Sequence, residues 1–288
     1  MLTGTIFEIN MQTNNYTDVH NFDITHNNLP QSGLVEGPNG LLYGTTSYGG
    51  INNKGVLYSF DPVSNTYTDL FDFVNITGAI PFYVPIVINT KLYGIASEGG
   101  PFNNNAGAIY SYDLLTNTYT DLFDFNGTTD GSSPYGGLVL ANDGKIYGNT
   151  LDGGANNKGV IFRFDPSTSA YQKLYDFDML TGGTPMGALM QASNNKLYGT
   201  ASAGGVHSMG TLFSFDIASN SYSDLFDFDS INGTMPIANL IQLSNGLLYG
   251  ATLTAPFIIY ISYVLPDYKN NFSPYYLSTL SLRGPPAV

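Results

Sequence analysis

One stretch of about thirty residues occurs four times in this chain and decides what the chain can fold into. The first copy, residues 42–73, reads LYGTTSYGGINNKGVLYSFDPVSNTYTDLFDF, and edited copies begin at Leu92, Ile146 and Leu197. Three single-residue markers recur five times each, with a period of about 51 residues. The markers are Gly44, Gly94, Gly148, Gly199 and Gly250; Gly4, Gly55, Gly107, Gly159 and Gly210; and Pro30, Pro81, Pro134, Pro185 and Pro236. A fixed period of this length predicts an array of similar supersecondary units.

Each repeat contains four short apolar runs separated by turn-forming residues. The run GLVEG leads to Asn39-Gly40 and then at once to LLYGTTS, which predicts a tight hairpin turn with both central residues at positive φ. A loop rich in glycine and asparagine then leads to VLYSF, and Asp61-Pro62 predicts an ordinary turn into YTDLFDF. The sequence therefore predicts a meander of four antiparallel strands in every repeat.

Four-stranded repeats of this kind predict an all-β fold, a five-bladed β-propeller with four antiparallel strands per blade and almost no helix. A β-solenoid is the alternative, but hairpin signals within every repeat favour meanders over parallel coils. Residues 1–22 match only the third and fourth strands of a repeat, and residues 236–252 match only the first and second. We therefore expect the N-terminal strands to complete the last blade and close the ring. The expected domains are residues 1–252, the propeller, and residues 253–288, a C-terminal tail that matches no repeat.

The charge and the cysteine content limit the classes of partner. The net charge is -13, from 9 Lys+Arg and 22 Asp+Glu, so we expect no nucleic-acid partner. The absence of cysteine excludes disulfides, thiolate metal sites and thiol nucleophiles. The apolar run of residues 257–265 is too short for a membrane helix, and no signal peptide is visible at the N-terminus. We expect a monomer that does not span a membrane.

The repeated pattern resembles the GloVer-type tandem repeat, named after the Gloeobacter and Verrucomicrobia groups. The matching positions in the first full copy are Tyr43-Gly44-Thr45-Thr46, Gly49-Gly50, Gly55, Leu57-Tyr58, Phe60, Leu70 and Phe73. The family occurs in predicted bacterial surface proteins with C-terminal anchors, so the resemblance implies a bacterial protein at the cell surface or outside the cell. The tail, residues 253–288, departs from that pattern, and the family supplies no biochemical role.

A more distant resemblance links the repeats to kelch blades. Both have a double glycine after the second strand and an aromatic residue in the fourth. Where kelch repeats carry tryptophan, this chain has Tyr16, Tyr67, Tyr119, Tyr171 and Tyr222.

Groups suited to catalysis are sparse. The histidines and glutamates fall in different repeats without metal or triad spacing: His20, His26, His207, Glu8, Glu36 and Glu98. The recurring aspartates are interpreted as hydrogen-bonded structural groups, not as a ring that holds a cation: Asp72, Asp124, Asp176 and Asp227. We expect no enzyme, no catalytic residue, no cofactor and no metal. The alternative, a five-bladed carbohydrate-active enzyme, needs a facing pair of carboxyls, and Glu36 is the one ionisable residue in the predicted first strands.

The loops after the second and fourth strands of every repeat fall on one face, because strand direction alternates. Their neutral amides, hydroxyls and glycines, with a few aromatic rings, suit a neutral sugar, as in tachylectin-type lectins with five sites acting together. A protein-interaction scaffold with an exposed apolar patch is the alternative. The candidate ligand-binding residues, which include three that break the repeat symmetry (Glu98, Asp152 and His207), are Tyr48, Asn52, Asn53, Glu98, Phe102, Asn103, Asn104, Tyr135, Asp152, Asn156, Asn157 and His207.

Overall fold

The computed structural model describes residues 4–23, 27–102 and 105–254, which all belong to the compact unit Met1–Phe257. These residues contain 23 β-strands, one 3-10 helix at Asn75–Thr77, and no α-helix. The prediction of an all-β chain is therefore confirmed for them. No helix in this part of the chain is long and apolar enough to cross a membrane. The apolar run of residues 257–265, and the predicted tail from residue 255 onward, lie outside the described residues.

The strands follow the repeats. The chain begins with β1 (Thr5–Asn10), β2 (Asn15–Asn21) and β3 (Asn27–Asn28). The next repeat contains β4 (Val35–Glu36), β5 (Leu42–Thr46), β6 (Tyr48–Gly49), β7 (Val56–Asp61) and β8 (Thr66–Asp72). It is followed by β9 (Ile86–Ile88), β10 (Lys91–Ala96), β11 (Ala108–Asp113) and β12 (Thr118–Asp124). The third complete repeat contains β13 (Ser132–Pro134), β14 (Val139–Leu140), β15 (Ile146–Asp152), β16 (Val160–Asp165) and β17 (Ala170–Asp176). The last strands are β18 (Met190–Gln191), β19 (Lys196–Ala201), β20 (Thr211–Asp216), β21 (Ser221–Asp227), β22 (Ile241–Gln242) and β23 (Leu248–Tyr249).

Four complete blades result from these strands. Blade 1 has the order β4-β5-β7-β8, blade 2 β9-β10-β11-β12, and blade 4 β18-β19-β20-β21. Blade 3 has the path β15-β16-β17, with both β14 and β13 paired to β15. Strands β1 and β2 form one two-stranded sheet, β22 and β23 another, and no strand pairing joins the two within the described residues. The fifth blade and the closed ring therefore stay predictions, whereas antiparallel meanders are observed in place of the parallel coils of a solenoid.

The turn between the first two strands is tight but differs from the predicted one. In blade 1 the Gly40 N–H donates to the Gly37 carbonyl at 3.0 Å. Gly40 has a φ of +78°, and Asn39 is not among the residues with positive φ. The prediction of two left-handed residues is wrong, because the loop is longer than two residues and needs only one left-handed residue after a type I turn.

A β-bulge recurs in the pairing of the third and fourth strands. In blade 1 Leu57 lies opposite Phe71 while Tyr58 lies opposite Asp69, so Leu70 is the extra residue. The same shift follows Ile6, Ile109, Ile161 and Leu212 in the other repeats. An extra residue changes which side chains share a face of the strand. It allows Asp69 and Asp72, three positions apart, to lie on the same side.

The core consists of aromatic clusters between consecutive blades. Between blades 1 and 2, Phe73 contacts the ring of Tyr110 edge-on at 5.1 Å, and Phe71 stacks on Tyr119 at 3.6 Å. The glycine of the YG pair makes room for the central ring, because a β-carbon on Gly94 would lie 2.3 Å from Cζ of Tyr110. The rings that cover Gly44, Gly148 and Gly199 in the same way are Tyr58, Phe162 and Phe213.

The other two markers of the repeat contact each other across consecutive repeats. A β-carbon on Gly55 would lie 2.7 Å from Cδ of Pro81, so the proline of one repeat packs directly on the glycine that opens the third strand of the repeat before it. The same contact joins Gly4 to Pro30, Gly107 to Pro134, Gly159 to Pro185 and Gly210 to Pro236. Consecutive repeats are therefore joined by the same glycine–proline contact throughout the described residues.

Candidate ligand-binding site

The segments that follow the five repeated prolines meet at the inner ends of the blades. Hydrogen bonds from the second strand of one blade, or from the residue directly after it, hold the segment of the next blade. Ser97 Oγ donates to the Pro134 carbonyl at 2.9 Å, and Asn149 Nδ2 donates to the Gly187 carbonyl at 3.0 Å. Since both donors are buried, the position of each segment is set by the blade before it.

A cavity of about 390 Å³ lies where these segments meet. Its lining comes from four repeats and includes Gln31, Ser32, Phe82, Tyr83, Tyr135 and Asn239. The ring of Tyr135 lies 5.3 Å from that of Phe82 and 5.4 Å from that of Tyr83. None of the described residues that line the cavity is charged. The cavity therefore combines aromatic faces with neutral polar groups.

Two side-chain amides of the cavity are held by their carbonyl oxygens. Gln31 Oε1 accepts a hydrogen bond from Ser47 Oγ at 2.9 Å, and Asn239 Oδ1 accepts one from the Ala188 N–H at 2.7 Å. Each amide nitrogen carries two further N–H donors, and within the described residues neither nitrogen donates to the protein. Fixed amide donors beside aromatic faces are the polar and apolar contacts that a hydroxylated neutral ligand needs.

The asparagines of the predicted loop sites hold the loops themselves. Asn52 Nδ2 donates to the Phe73 carbonyl at 3.1 Å, and Asn53, at a φ of +52°, accepts the Gly49 N–H at 3.1 Å. The same bonds recur in blade 3, from Asn156 to Phe177 at 3.0 Å and from Gly153 to Asn157 at 3.2 Å. These amides connect the loop after the second strand to the end of the fourth strand. Their predicted role in ligand binding stays a prediction.

The remaining predicted residues lie at or after the ends of the second strands, in four different blades. Tyr48 in β6, Phe102 and His207 are exposed. Glu98 accepts a hydrogen bond from Asn105 at 2.9 Å. Asp152 is the last residue of β15. Asn103 and Asn104 lie outside the described residues. Of the predicted residues that the structure describes, Tyr135 alone lines the cavity.

Three of the four recurring aspartates bind backbone groups, as their structural interpretation predicts. The fourth, Asp124, does not, because Pro101 stands at the donor position of its repeat and has no N–H. Asp72 Oδ1 accepts the Ile51 N–H at 2.8 Å, and Asp227 Oδ1 accepts the Val206 N–H at 2.7 Å. Asp176 makes the same bond to Ala155 at 2.7 Å. Within the described residues no group of three or more His, Asp or Glu side chains is placed to hold a metal ion.

In blade 2 a second acidic residue, Asp121, lies beside the recurring aspartate, Asp124. Burial raises the pKa of Asp121 to about 7, and the neighbouring Asp124 carboxyl adds to the shift. Burial also raises the pKa of Asp124. In blade 3 the position of Asp121 is taken by Lys173, whose Nζ lies 2.7 Å from Asp176 Oδ2. The two positions therefore lie close together in both blades, but they hold two carboxyls in blade 2 and an ion pair in blade 3.

The sequence contained a signal for the cavity that the loop-based prediction missed. The two residues after each repeated proline form a different pair in every repeat. They are Gln31-Ser32, Phe82-Tyr83, Tyr135-Gly136, Met186-Gly187 and Ile237-Ala238. Variation at one fixed place in a regular repeat indicates a position that the fold itself does not constrain.

A family model described as the Gloeobacter/Verrucomicrobia repeat matches residues 2–105 and 84–255. No curated protein sequence matches the chain. Among solved structures, a chain of the Nidogen/Laminin complex is 13% identical with a TM-score of 0.53, over 87% of this chain and 82% of that one. TolB from Acinetobacter baumannii is 14% identical with a TM-score of 0.48, over 86% of this chain, which spans about half (54%) of the TolB chain. A puromycin-hydrolyzing peptidase of Mycobacterium tuberculosis is 10% identical with a TM-score of 0.47, over 73% of this chain and 30% of that one. The likenesses concern the fold alone, a β-propeller built from tandem repeats.

Proposed function

The chain belongs to the Gloeobacter/Verrucomicrobia repeat family, and from this premise we propose that it is a closed five-bladed propeller that binds a neutral carbohydrate without catalysing a reaction on it. The proposal has two parts, the closure of the ring and the ligand. The location at the cell surface or outside the cell, the monomeric state and the likeness to kelch blades stay predictions from the sequence.

Closure is supported by the complementary edges of the two half blades. Strands β1 and β2 are the third and fourth strands of a repeat, and β22 and β23 are the first and second. In blade 1, Tyr43 lies opposite Ser59 and Gly44 opposite Tyr58. The same register in the fifth blade pairs Tyr249 with Glu8 and Gly250 with Phe7.

The side chains at both edges support the same pairing. An aromatic ring covers the YG glycine in each complete blade, whereas a β-carbon on Gly250 would meet only Leu240 among the described residues. The ring that belongs there by register is that of Phe7, which is 57% exposed and stacks on Tyr16 at 5.3 Å. Phe226, equivalent to the half-buried Phe71, is 42% exposed. Closure buries these aromatic side chains in a fifth aromatic cluster, and the hydrophobic effect then stabilises the closed propeller.

An engineered disulfide tests the closure, since the natural chain has no cysteine. The variant with Glu8→Cys and Tyr249→Cys is expected to form an intramolecular disulfide on mild oxidation, because paired strands bring Cα atoms within bonding range. Tyr43→Cys with Ser59→Cys, an observed pair in blade 1, is the positive control. A control pair that oxidises while the Glu8 and Tyr249 pair does not would contradict the closed ring.

The cavity lined by Phe82, Tyr83 and Tyr135 is the observation that carries the ligand proposal. Sugar rings present apolar C–H faces and many hydroxyls, which match aromatic stacking and fixed amide donors. The uncharged lining disfavours an ionic ligand, and it offers no pair of carboxyls for glycoside hydrolysis. The proposal differs from the sequence-based prediction in placing one central site where that prediction placed five loop sites.

Glycan-array binding, followed by calorimetric titration of the glycans that bind, tests the function. Tyr135→Ala is expected to weaken binding by up to about tenfold, because it removes one stacking face. Tyr48→Ala and Phe102→Ala remove exposed aromatic rings from the loops and serve as matched controls. Loss of binding in the loop variants alone would move the site to the loops, and no binding of any neutral glycan would refute the carbohydrate proposal.

A protein partner is the second candidate, and one observation favours it. Apolar side chains in the loops after the second and fourth strands are strongly exposed: Ile51, Ile76, Leu180, Val206 and Ile231. Exposed apolar groups that lie together mark protein-binding surfaces. Failure to bind glycans, together with exposure of these residues to a protein partner in cross-linking experiments, would favour the scaffold.

A further inference from the structure

Tyr83 breaks the symmetry of the repeat at the centre of the molecule. It is the second residue after the repeated proline, and the equivalent residues in the other repeats are small: Ser32, Gly136, Gly187 and Ala238. A tyrosine at this place extends the side chain far beyond the space that the other repeats fill.

The side chain of Tyr83 reaches from the second repeat to the fourth. Its hydroxyl donates to the Met186 carbonyl at 3.4 Å, across 103 residues of sequence. Its ring meets that of Tyr135 edge-on, and a β-carbon on Gly137 would lie 3.4 Å from its Cδ1. Burial raises the pKa of Tyr83 to about 12, so the hydroxyl stays protonated and donates at neutral pH.

A second cavity lies next to the first. Its volume is about 530 Å³, and its lining includes Leu138, Ala188, Gln191, Asn239 and Gln242. It shares Asn239 with the first cavity. Of the two cavities, Tyr83 lines only the first, but the residues that it contacts lie close in sequence to lining residues of the second. Gly137 directly precedes Leu138, and Met186 lies two positions before Ala188.

We propose that Tyr83 is the floor of the central cavity and limits how deeply a ligand enters. This inference rests on the proposed carbohydrate binding. With Tyr83 in place, the cavity accommodates the terminal sugar of a chain or a short oligosaccharide. Without it, the two cavities form one continuous passage, in which the Gln191 amide nitrogen donates one N–H to the Asn195 carbonyl and has its second N–H for a ligand.

Two substitutions test the role of the ring. Tyr83→Ser introduces the residue of the first repeat and removes the floor, whereas Tyr83→Phe keeps the ring and removes only the hydroxyl. Calorimetric titration uses a neutral monosaccharide that binds the natural protein and its longer oligomers. The natural protein and Tyr83→Phe are expected to bind the longer oligomers no more tightly than the short ones. Tyr83→Ser is expected to bind the longer ones about tenfold more tightly, since added contacts of about 1.4 kcal/mol give that factor.

The outcomes separate this inference from the proposed function. A folded Tyr83→Ser protein, checked by circular dichroism and thermal unfolding, that keeps the natural preference for length overturns the role of Tyr83 and leaves carbohydrate binding intact. If no glycan binds the natural protein, crystal structures of both proteins soaked in glycerol still test the floor. Glycerol beside Gln191 in the serine variant but not in the natural protein supports it, and glycerol there in both proteins overturns it.

Discussion

Lys173 and Asp176 form an ion pair with 2.7 Å between Nζ and Oδ2, at the place where blade 2 has two carboxyls, Asp121 and Asp124. The β-bulge that recurs in the repeats brings residues three positions apart together in both blades. Opposite charges at this place attract, and two carboxyls repel each other unless one of them binds a proton. We therefore expect the carboxyl pair of blade 2 to destabilise the fold as pH rises, and we expect no such loss from the ion pair of blade 3.

Asp121→Lys is expected to raise the thermal unfolding temperature at about pH 8, with a smaller gain at about pH 5. The pKa of Asp121 is about 7 in the folded protein, above the ordinary value of 3.8. The folded protein therefore binds more protons than the unfolded chain between these values, and stability falls as pH rises through that range. Lys173→Asp, the reverse change in blade 3, is expected to lower stability mainly at the higher pH. An equal gain for Asp121→Lys at both pH values would exclude a carboxyl pair as the cause.

Gly148→Ala is expected to lower the free energy of unfolding by about 1–3 kcal/mol, as overpacked cores do. A β-carbon there would lie 2.5 Å from Cζ of Phe162, in a fully buried cluster. Gly250→Ala is the informative partner, because its equivalent ring is Phe7. If the fifth blade is closed, both variants lose similar stability in urea unfolding. A cost at Gly250 far below that at Gly148 would speak against closure.

His20→Phe is expected to make the protein less sensitive to acid. His20 stacks on Tyr67 with 4.3 Å between ring centroids, where the other repeats have Phe71, Phe123 and Tyr175. Burial lowers the pKa of His20, although Asp69 and Asp23 act to raise it. A lowered histidine pKa means that the folded state loses stability as pH falls below about 6.5, the value of the unfolded chain. Phenylalanine keeps the stack and does not titrate. Identical pH profiles of unfolding temperature for both proteins would contradict this.

Asn52→Ala is expected to destabilise the protein by about 0.5–1.5 kcal/mol and to leave glycan binding unchanged. The substitution removes the hydrogen bond to the Phe73 carbonyl, which connects the loop to the blade. Asn156→Ala removes the equivalent bond in blade 3 and is the matched variant. Thermal unfolding and glycan titration measured together separate the two roles. Unchanged stability with weakened binding would restore the asparagines to the ligand site.

The sequence by itself determined the strands, the places of the turns and the spacing between repeats. Glycine, proline and aromatic markers act through local geometry and through the neighbouring repeat, so the glycine and proline that meet, as Gly55 and Pro81 do, are 26 or 27 residues apart in every repeat. The structural role of Asp72 was also predictable, because a buried carboxylate needs a hydrogen-bond donor.

Only the tertiary structure decided which residues meet at the centre. Tyr83 and Met186 are 103 residues apart, and nothing in the spacing of either repeat indicates that the second reaches the fourth. The sequence predicted ligand binding for the loop asparagines, and only the structure showed that they also bind the backbone of Gly49 and Phe73. A repeat pattern reports what every unit has in common. The cavity is made by the residues in which the units differ, and their meeting depends on how the units are arranged around one centre.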